Sequence, residues 1–147
     1  MYPEGEALLL VQVRAATGFG VANVTRGDWR FLNKEGIIAG AVLLPAPFTL
    51  GYGEGRVDGN WAAVVEIWRK YLDDGTTLTN LEADVKAIIN RLILYPHMQD
   101  TTNTITDAEV SGGGEVFRIP APPVGPHWLK QELNVTWLEQ NAITYSE

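Results

Sequence analysis

The sequence predicts an α+β fold: one domain over residues 1–147, with a mostly antiparallel sheet and two helices packed on one face. Three observations carry that prediction. Leu81, Val85, Ile88, Ile89, Leu92 and Tyr95 recur at three- and four-residue spacing, the period of one helical face. Most other apolar segments are short and bounded by Gly or Pro, so strand follows strand with few helices between them. The 147 residues, 46% apolar and 20% charged, suit a single globular core. A chain of this size buries roughly 68–70% of the surface that its unfolded form exposes.

The first element expected is a helix from Glu4 to Thr17. Pro3 fits a first helical position, Glu4 and Glu6 complement the positive end, and Gly18 is a stop. The run Leu8–Val11 with Val13 is too continuous for a clean stripe, so a strand stays open as the alternative. Ile37–Leu44 reads as a strand between Gly36 and Pro45, and Phe48–Tyr52 continues it after a Pro-induced break. Gly51–Gly55 reads as a hairpin loop. Trp61–Tyr71 is the next strand, with Trp61, Ala63, Val65, Ile67 and Tyr71 on one face and Glu66, Trp68 and Lys70 on the other.

The second helix opens, on this reading, with a capping box made by Thr79 and Glu82, and it ends at Tyr95 because Pro96 disfavours helical geometry there. Thr104–Val110 and Glu115–Ile119 then flank Ser111–Gly114, which reads as a hairpin turn. Leu133, Val135 and Trp137 alternate with polar residues in a last, one-sided strand. Two helices on one face leave the other face, or the sheet edges, for something else to cover.

The chemical inventory argues against an enzyme. There is no cysteine, which removes disulfides, thiolate metal sites and thiol nucleophiles together. Eleven Lys and Arg against eighteen Asp and Glu give a net charge of −7, the wrong sign for binding nucleic-acid phosphate. The Gly51–Gly55 run lacks the Gly-Lys-Ser/Thr ending of a phosphate loop, and Glu54 would repel an anion. His97 with Asp100, or Asp107 with Glu109, offers a metal two ligands where a catalytic zinc wants about three. Ser111 opens a glycine run and Ser146 is penultimate, so neither has the strained setting of a hydrolase serine. No catalytic residue, cofactor or metal is expected. The stretch Ala7–Val11 is interrupted by Arg14 too soon to span a bilayer and lacks the basic start of a signal peptide, so no membrane partner is expected either.

Five tryptophans remain to be placed. Trp61 and Trp137 fall on the apolar sides of their strands and read as core. Trp68 shares its face with Glu66 and Lys70 and is the tryptophan expected to meet a partner. Trp128, after the stiff segment Pro120–Pro126, is expected to pin the chain against the sheet or a neighbour. Exposed tryptophans would also suit a monomeric carbohydrate-binding module, which is the alternative function.

The segment Trp61–Met98 resembles the tail-terminator (tail-completion) proteins of long-tailed bacteriophages. The likeness is a strand opening with Trp61, a short acidic and polar turn, then an amphipathic helix running into Tyr95-Pro96-His97-Met98. The order of elements is similar too: a helix before, an apolar strand ending in a Gly-rich turn, and closing antiparallel strands. The chain departs from the pattern in its longer connections Leu72–Thr79 and Pro120–Pro126, and in Thr25–Asn33, which has no counterpart.

The resemblance implies a virion structural protein of the tail or neck, assembled in the bacterial host cytoplasm. It would form a homo-oligomeric, hexameric ring that caps the tail tube, ends its polymerisation and joins the tail to the neck and capsid. Its partners would be other copies of itself, the tail tube protein and a neck or connector protein, with DNA passing through the lumen without specific binding. A neighbouring neck or connector ring is the closest alternative. The contact residues expected are Phe48, Tyr52, Arg56 and Asp58 in the Phe48–Asn60 loop, with Trp68, Trp128 and the Ser111–Glu115 turn.

Overall fold

A computed structural model describes residues 4–53, 56–73, 75–102, 104–119 and 127–142. The elements run α1 (Glu4–Thr17), β1 (Val24–Arg26), β2 (Ala39–Pro45), β3 (Thr49–Gly53), β4 (Arg56–Lys70), α2 (Thr76–Leu94), β5 (Ile105–Ile119) and β6 (Trp128–Ala142), with single 3-10 turns at Val21–Asn23 and Arg30–Asn33. The sheet order is β1-β2-β4-β6-β5, and β3 pairs with β4 beyond the end of β2. Every pairing is antiparallel except the three-residue β1–β2 contact. The expected α+β class, with two helices and a mostly antiparallel sheet, is the observed one.

Strand parity sorts the core. Ala63, Val65 and Ile67 of β4, Ala41 and Leu43 of β2, and Leu133, Val135 and Trp137 of β6 point to one face. Leu9 and Val13 of α1 and Leu81, Ile88 and Leu92 of α2 close over them. Each such side chain contributes about 1.5–3 kcal/mol when fully buried, so this layer supplies most of the folding drive. The helical reading of residues 4–17 therefore holds, and the strand alternative falls.

Buried polar groups lock the helices in place. Asp84 takes two hydrogen bonds from the Arg69 guanidinium on β4, at 2.6 and 2.9 Å. The Gln12 amide donates to the Met98 carbonyl oxygen at 2.9 Å and accepts from Arg91 Nε at 2.8 Å, tying α1 to the end of α2. The N-terminus of α1 rests on the far end of β6, where the Glu139 carboxylate accepts the Gly5 and Glu4 backbone N–H at 2.8 and 3.2 Å and Trp137 Nε1 at 3.2 Å. A Cβ at Gly5 would overlap the Trp137 indole, so only glycine lets the helix descend onto the ring.

Two expectations are corrected. The Ser111–Gly114 run is not a turn: β5 continues through it, paired with β6 from Ile105 to Ile119, with register shifts after Thr106, Val110 and Gly113. Glycines serve a bulge as readily as a turn, and the 15-residue β6 offers a partner along the whole length. The helix start is also earlier than the capping box implied. α2 begins at Thr76, so Thr79 and Glu82 lie inside it. Asp73 accepts the Thr76 N–H at 2.7 Å, and the Thr77 hydroxyl accepts the Leu72 and Asp73 N–H groups at 3.0 and 3.3 Å. The short β1 and the Arg30–Asn33 turn were not foreseen; they carry no amphipathic period long enough to read.

Candidate interaction surface

The β3–β4 hairpin sets exposed apolar side chains beside an open strand edge. Pro45 and Pro47 bracket the break between β2 and β3, so both strands lie along the same edge of β4 in succession. Register places Leu50 opposite Gly59 and Tyr52 opposite Val57, which puts both on the helix-bearing face with Trp61. Phe48 stacks on Trp61, with ring centroids 4.1 Å apart and planes at 29°. Trp61 stands directly across from Trp137 on β6, and its indole lies over Gly59, where a Cβ would overlap it. Trp61 Nε1 is buried and makes no hydrogen bond among the described residues.

Outward from this aromatic stack no described residue closes over the chain. Phe48 and Leu50 are exposed, and Tyr52 is 75% exposed. Among the described residues β3 pairs with β4 alone, so its outer backbone edge is unpaired. The strand Thr49-Leu-Gly-Tyr-Gly53 carries no charge, the usual protection for such an edge. β5, at the opposite end of the sheet, is blunted by its bulges and by Asp107, Glu109, Glu115 and Arg118.

The expected contact residues divide. Phe48 and Tyr52 are exposed, but Tyr52 stands on strand β3 and the expected Phe48–Asn60 loop is largely the β3–β4 ladder. Arg56 closes the hairpin ladder opposite Gly53; its side chain, and residues Glu54 and Gly55, lie outside the described residues. Asp58 pairs with Gly51 and Gln140, so it faces the opposite side of the sheet from Tyr52 and the two do not form one patch. Trp68 and Trp128 are corrected: they are 6% and 3% exposed and pack with Phe31 and Val42 in a second cluster on the helix-free face. The Ser111–Glu115 segment is exposed, but as strand rather than loop.

That second cluster surrounds the buried Glu66. Its carboxylate accepts Trp29 Nε1 at 2.7 Å and Trp68 Nε1 at 3.4 Å, with Lys130 Nζ at 3.6 Å. Four of the five tryptophans are therefore buried, and the exposed one, Trp29, has its indole N–H engaged. Glu66 and Glu139 were both missed as structural anchors. Their signal was available in Glu139, a carboxylate in phase with the apolar residues Val135 and Trp137.

Among the described residues no reactive constellation assembles. His97 Nδ1 lies 3.0 Å from the Ile105 carbonyl oxygen, and His127 Nδ1 accepts from Arg118 Nε at 3.1 Å. The Ser111 hydroxyl donates to the Asn134 carbonyl oxygen at 3.3 Å, and Ser146 lies outside the described residues. Among the described residues no three His, Asp or Glu side chains converge as metal ligands. Burial would raise the Asp100 pKa, but hydrogen bonds from the Thr102 hydroxyl and from the backbone N–H groups of Thr104, Thr102 and Ile105 outweigh it and lower the value to about 2. That carboxylate organises its own loop. A groove of about 460 Å³ opens on the helix-free face, with Asp107 and Glu109 on one wall and Pro47 and Thr49 on the other, and holds no nucleophile–base pair. No helix among the described residues is long and apolar enough to cross a membrane.

The chain matches no family model and no curated protein. What it does must therefore be argued from its own surface.

Proposed function

We propose that this chain is a virion structural protein of the tail-terminator kind: a ring-forming subunit that caps the tail tube, stops its growth and joins the tail to the neck. The observation that supports this most directly is the uncharged, unpaired β3 edge beside exposed Phe48, Leu50 and Tyr52. Such an edge invites strand addition by another chain, and a protein that keeps one intact needs a partner to cover it. The partner proposed is the next copy of the same chain. A hairpin that docks on a different surface of its neighbour makes a heterologous contact, which closes into a ring when the rotation between copies allows. The role is non-enzymatic, with partners in the tail tube and the neck or connector.

Native mass spectrometry over a range of concentrations, with negative-stain images of the same samples, tests the reading. The expected species is a ring of about 97 kDa, six times the 16.2 kDa chain. A chain that stays monomeric at every concentration, and also when isolated tail-tube ends are supplied as templates, refutes it. A ring that binds connector but not tube ends would assign it to the neck instead.

A further inference from the structure

Among the described residues, one end of the helix-free face of the sheet is covered by a ten-residue loop, seated mainly by two side chains with Leu32 partly buried beside them. Residues 27–36 begin and end at glycines in the left-handed region, Gly27 at φ 64° and Gly36 at φ 81°. Between them Phe31 is the single fully buried residue. Its ring fits against Gly40 of β2, where a Cβ would overlap it, and meets Trp128 edge-on with centroids 6.0 Å apart. The second attachment is Trp29, whose Nε1 donates to the buried Glu66 carboxylate at 2.7 Å. The other bonds are internal, such as Arg30 to Asp28, or sit at the Gly27 end, where the Thr25 hydroxyl donates to the Asp28 carbonyl oxygen at 2.7 Å and the Gly27 N–H to the Leu43 carbonyl oxygen at 3.0 Å.

We propose that residues 27–36 form a hinged strap that lifts from the sheet as a unit, uncovering Val42, Trp68 and Trp128 while the helix-side core stays closed. The two clusters are separate: the residues beneath the strap belong to the small one, and none of them lies in the layer under α1 and α2. Opening therefore breaks one aromatic contact set and one hydrogen bond without disturbing the helices, the pattern of a sub-global opening. The glycines at both ends absorb the backbone change without the steric cost that another residue would meet at positive φ. Glu66 remains paired with Lys130 and Trp68 when Trp29 leaves, so no buried charge is stranded. Lifting the strap leaves the uncovered cluster beside the Glu66–Lys130 pair, with the partly buried Leu44 and Val64 next to it on the open face. This device is independent of the ring reading and stands or falls without it.

Native-state hydrogen exchange resolved by amide tests it on the full chain. The amides of Leu32 and Lys34, bonded to the Trp29 and Phe31 carbonyl oxygens in a single short turn that does not persist once Phe31 has left the sheet, report opening. Those of Val65 and Ile67 in the β4 ladder report the core. In the wild type the strap amides are expected to exchange at least a hundredfold faster than the ladder amides, once intrinsic rates are divided out. Trp29→Phe removes the donor but keeps an aromatic ring, and is expected to raise strap exchange about tenfold, the equivalent of about 1.4 kcal/mol, with the ladder unchanged. Phe31→Ala, which removes the ring that seats the strap on Gly40 and Trp128, is expected to do the same and to shift tryptophan emission to the red. Equal protection of strap and ladder in the wild type overturns the proposal. So does a Trp29→Phe variant that accelerates both sets together.

Discussion

Truncating Tyr52 separates assembly from folding. In the isolated chain the side chain is 75% exposed, so Tyr52→Ala removes little that the fold depends on and is expected to change stability by less than about 0.5 kcal/mol. In a ring that covers the β3 edge the same side chain would lose its water. Three quarters of the roughly 150–250 Å² that an aromatic residue buries is about 110–190 Å², or about 3–5 kcal/mol at 25 cal/mol per Å². Because part of that gain is offset by ordering the side chain, about 2–3 kcal/mol per contact is a sounder expectation. Each contact then weakens about thirty- to a hundred-and-sixtyfold. A denaturant melt should show an unchanged midpoint and slope, while native mass spectrometry shows the ring giving way to monomer at concentrations where the wild type is assembled. Combined with Arg56→Ala, the change should abolish tail joining and leave folding intact. A ring of undiminished stability, or normal infectious particles from the double variant, would refute the assignment of this hairpin. A variant that melts early would refute the claim that Tyr52 is dispensable to the fold.

Two further outcomes follow from the buried and hydrogen-bonded charges. Asp84→Ala leaves the largely buried Arg69 guanidinium without its bidentate partner and is expected to cost about 3 kcal/mol in a denaturant melt, whereas Asp84→Leu with Arg69→Met should recover most of the loss; a loss below about 0.5 kcal/mol in the single variant would show that the pair is solvated. Asp100, lowered from 3.8 to about 2 in the folded chain, stabilises the fold fully above its unfolded value and loses that contribution as pH falls toward 2; Asp100→Asn should therefore flatten the stability profile between about pH 4 and 2, and an unaltered acid limb would remove Asp100 from the account.

How far the sequence carried depended on how local each cause is. The period of Leu81, Ile88 and Leu92 marked a helix and its buried face, because those residues meet on one side whatever they pack against. The alternation around Trp61–Ile67 likewise gave the face that now lies under the helices. The helix start was misplaced because Thr79 and Glu82 match a capping pattern that the earlier Asp73–Thr77 bonds pre-empt. The glycine run was misplaced because a bulge and a turn share their residue preference, and only the 15-residue partner strand decides between them. At the candidate surface, Phe48 and Tyr52 were legible as contact aromatics, but the opposite facing of Asp58 follows from hairpin register, which the masses of Gly in the segment left undefined.

By itself the sequence determined the fold class, two helices, the apolar face of the central strands and the thinness of the catalytic inventory. Each of these depends on residue type and on spacings within one element. Tertiary structure alone decided what covers each face. Trp68 reads as exposed beside Glu66 and Lys70 until Trp29 and Phe31 arrive from 37 and more residues earlier and bury it. Glu139 reads as a surface carboxylate until the N-terminus of α1, 134 residues away, brings it the Gly5 N–H to bind. Periodicity says which residues share a face, and only the path of the rest of the chain says whether that face meets water.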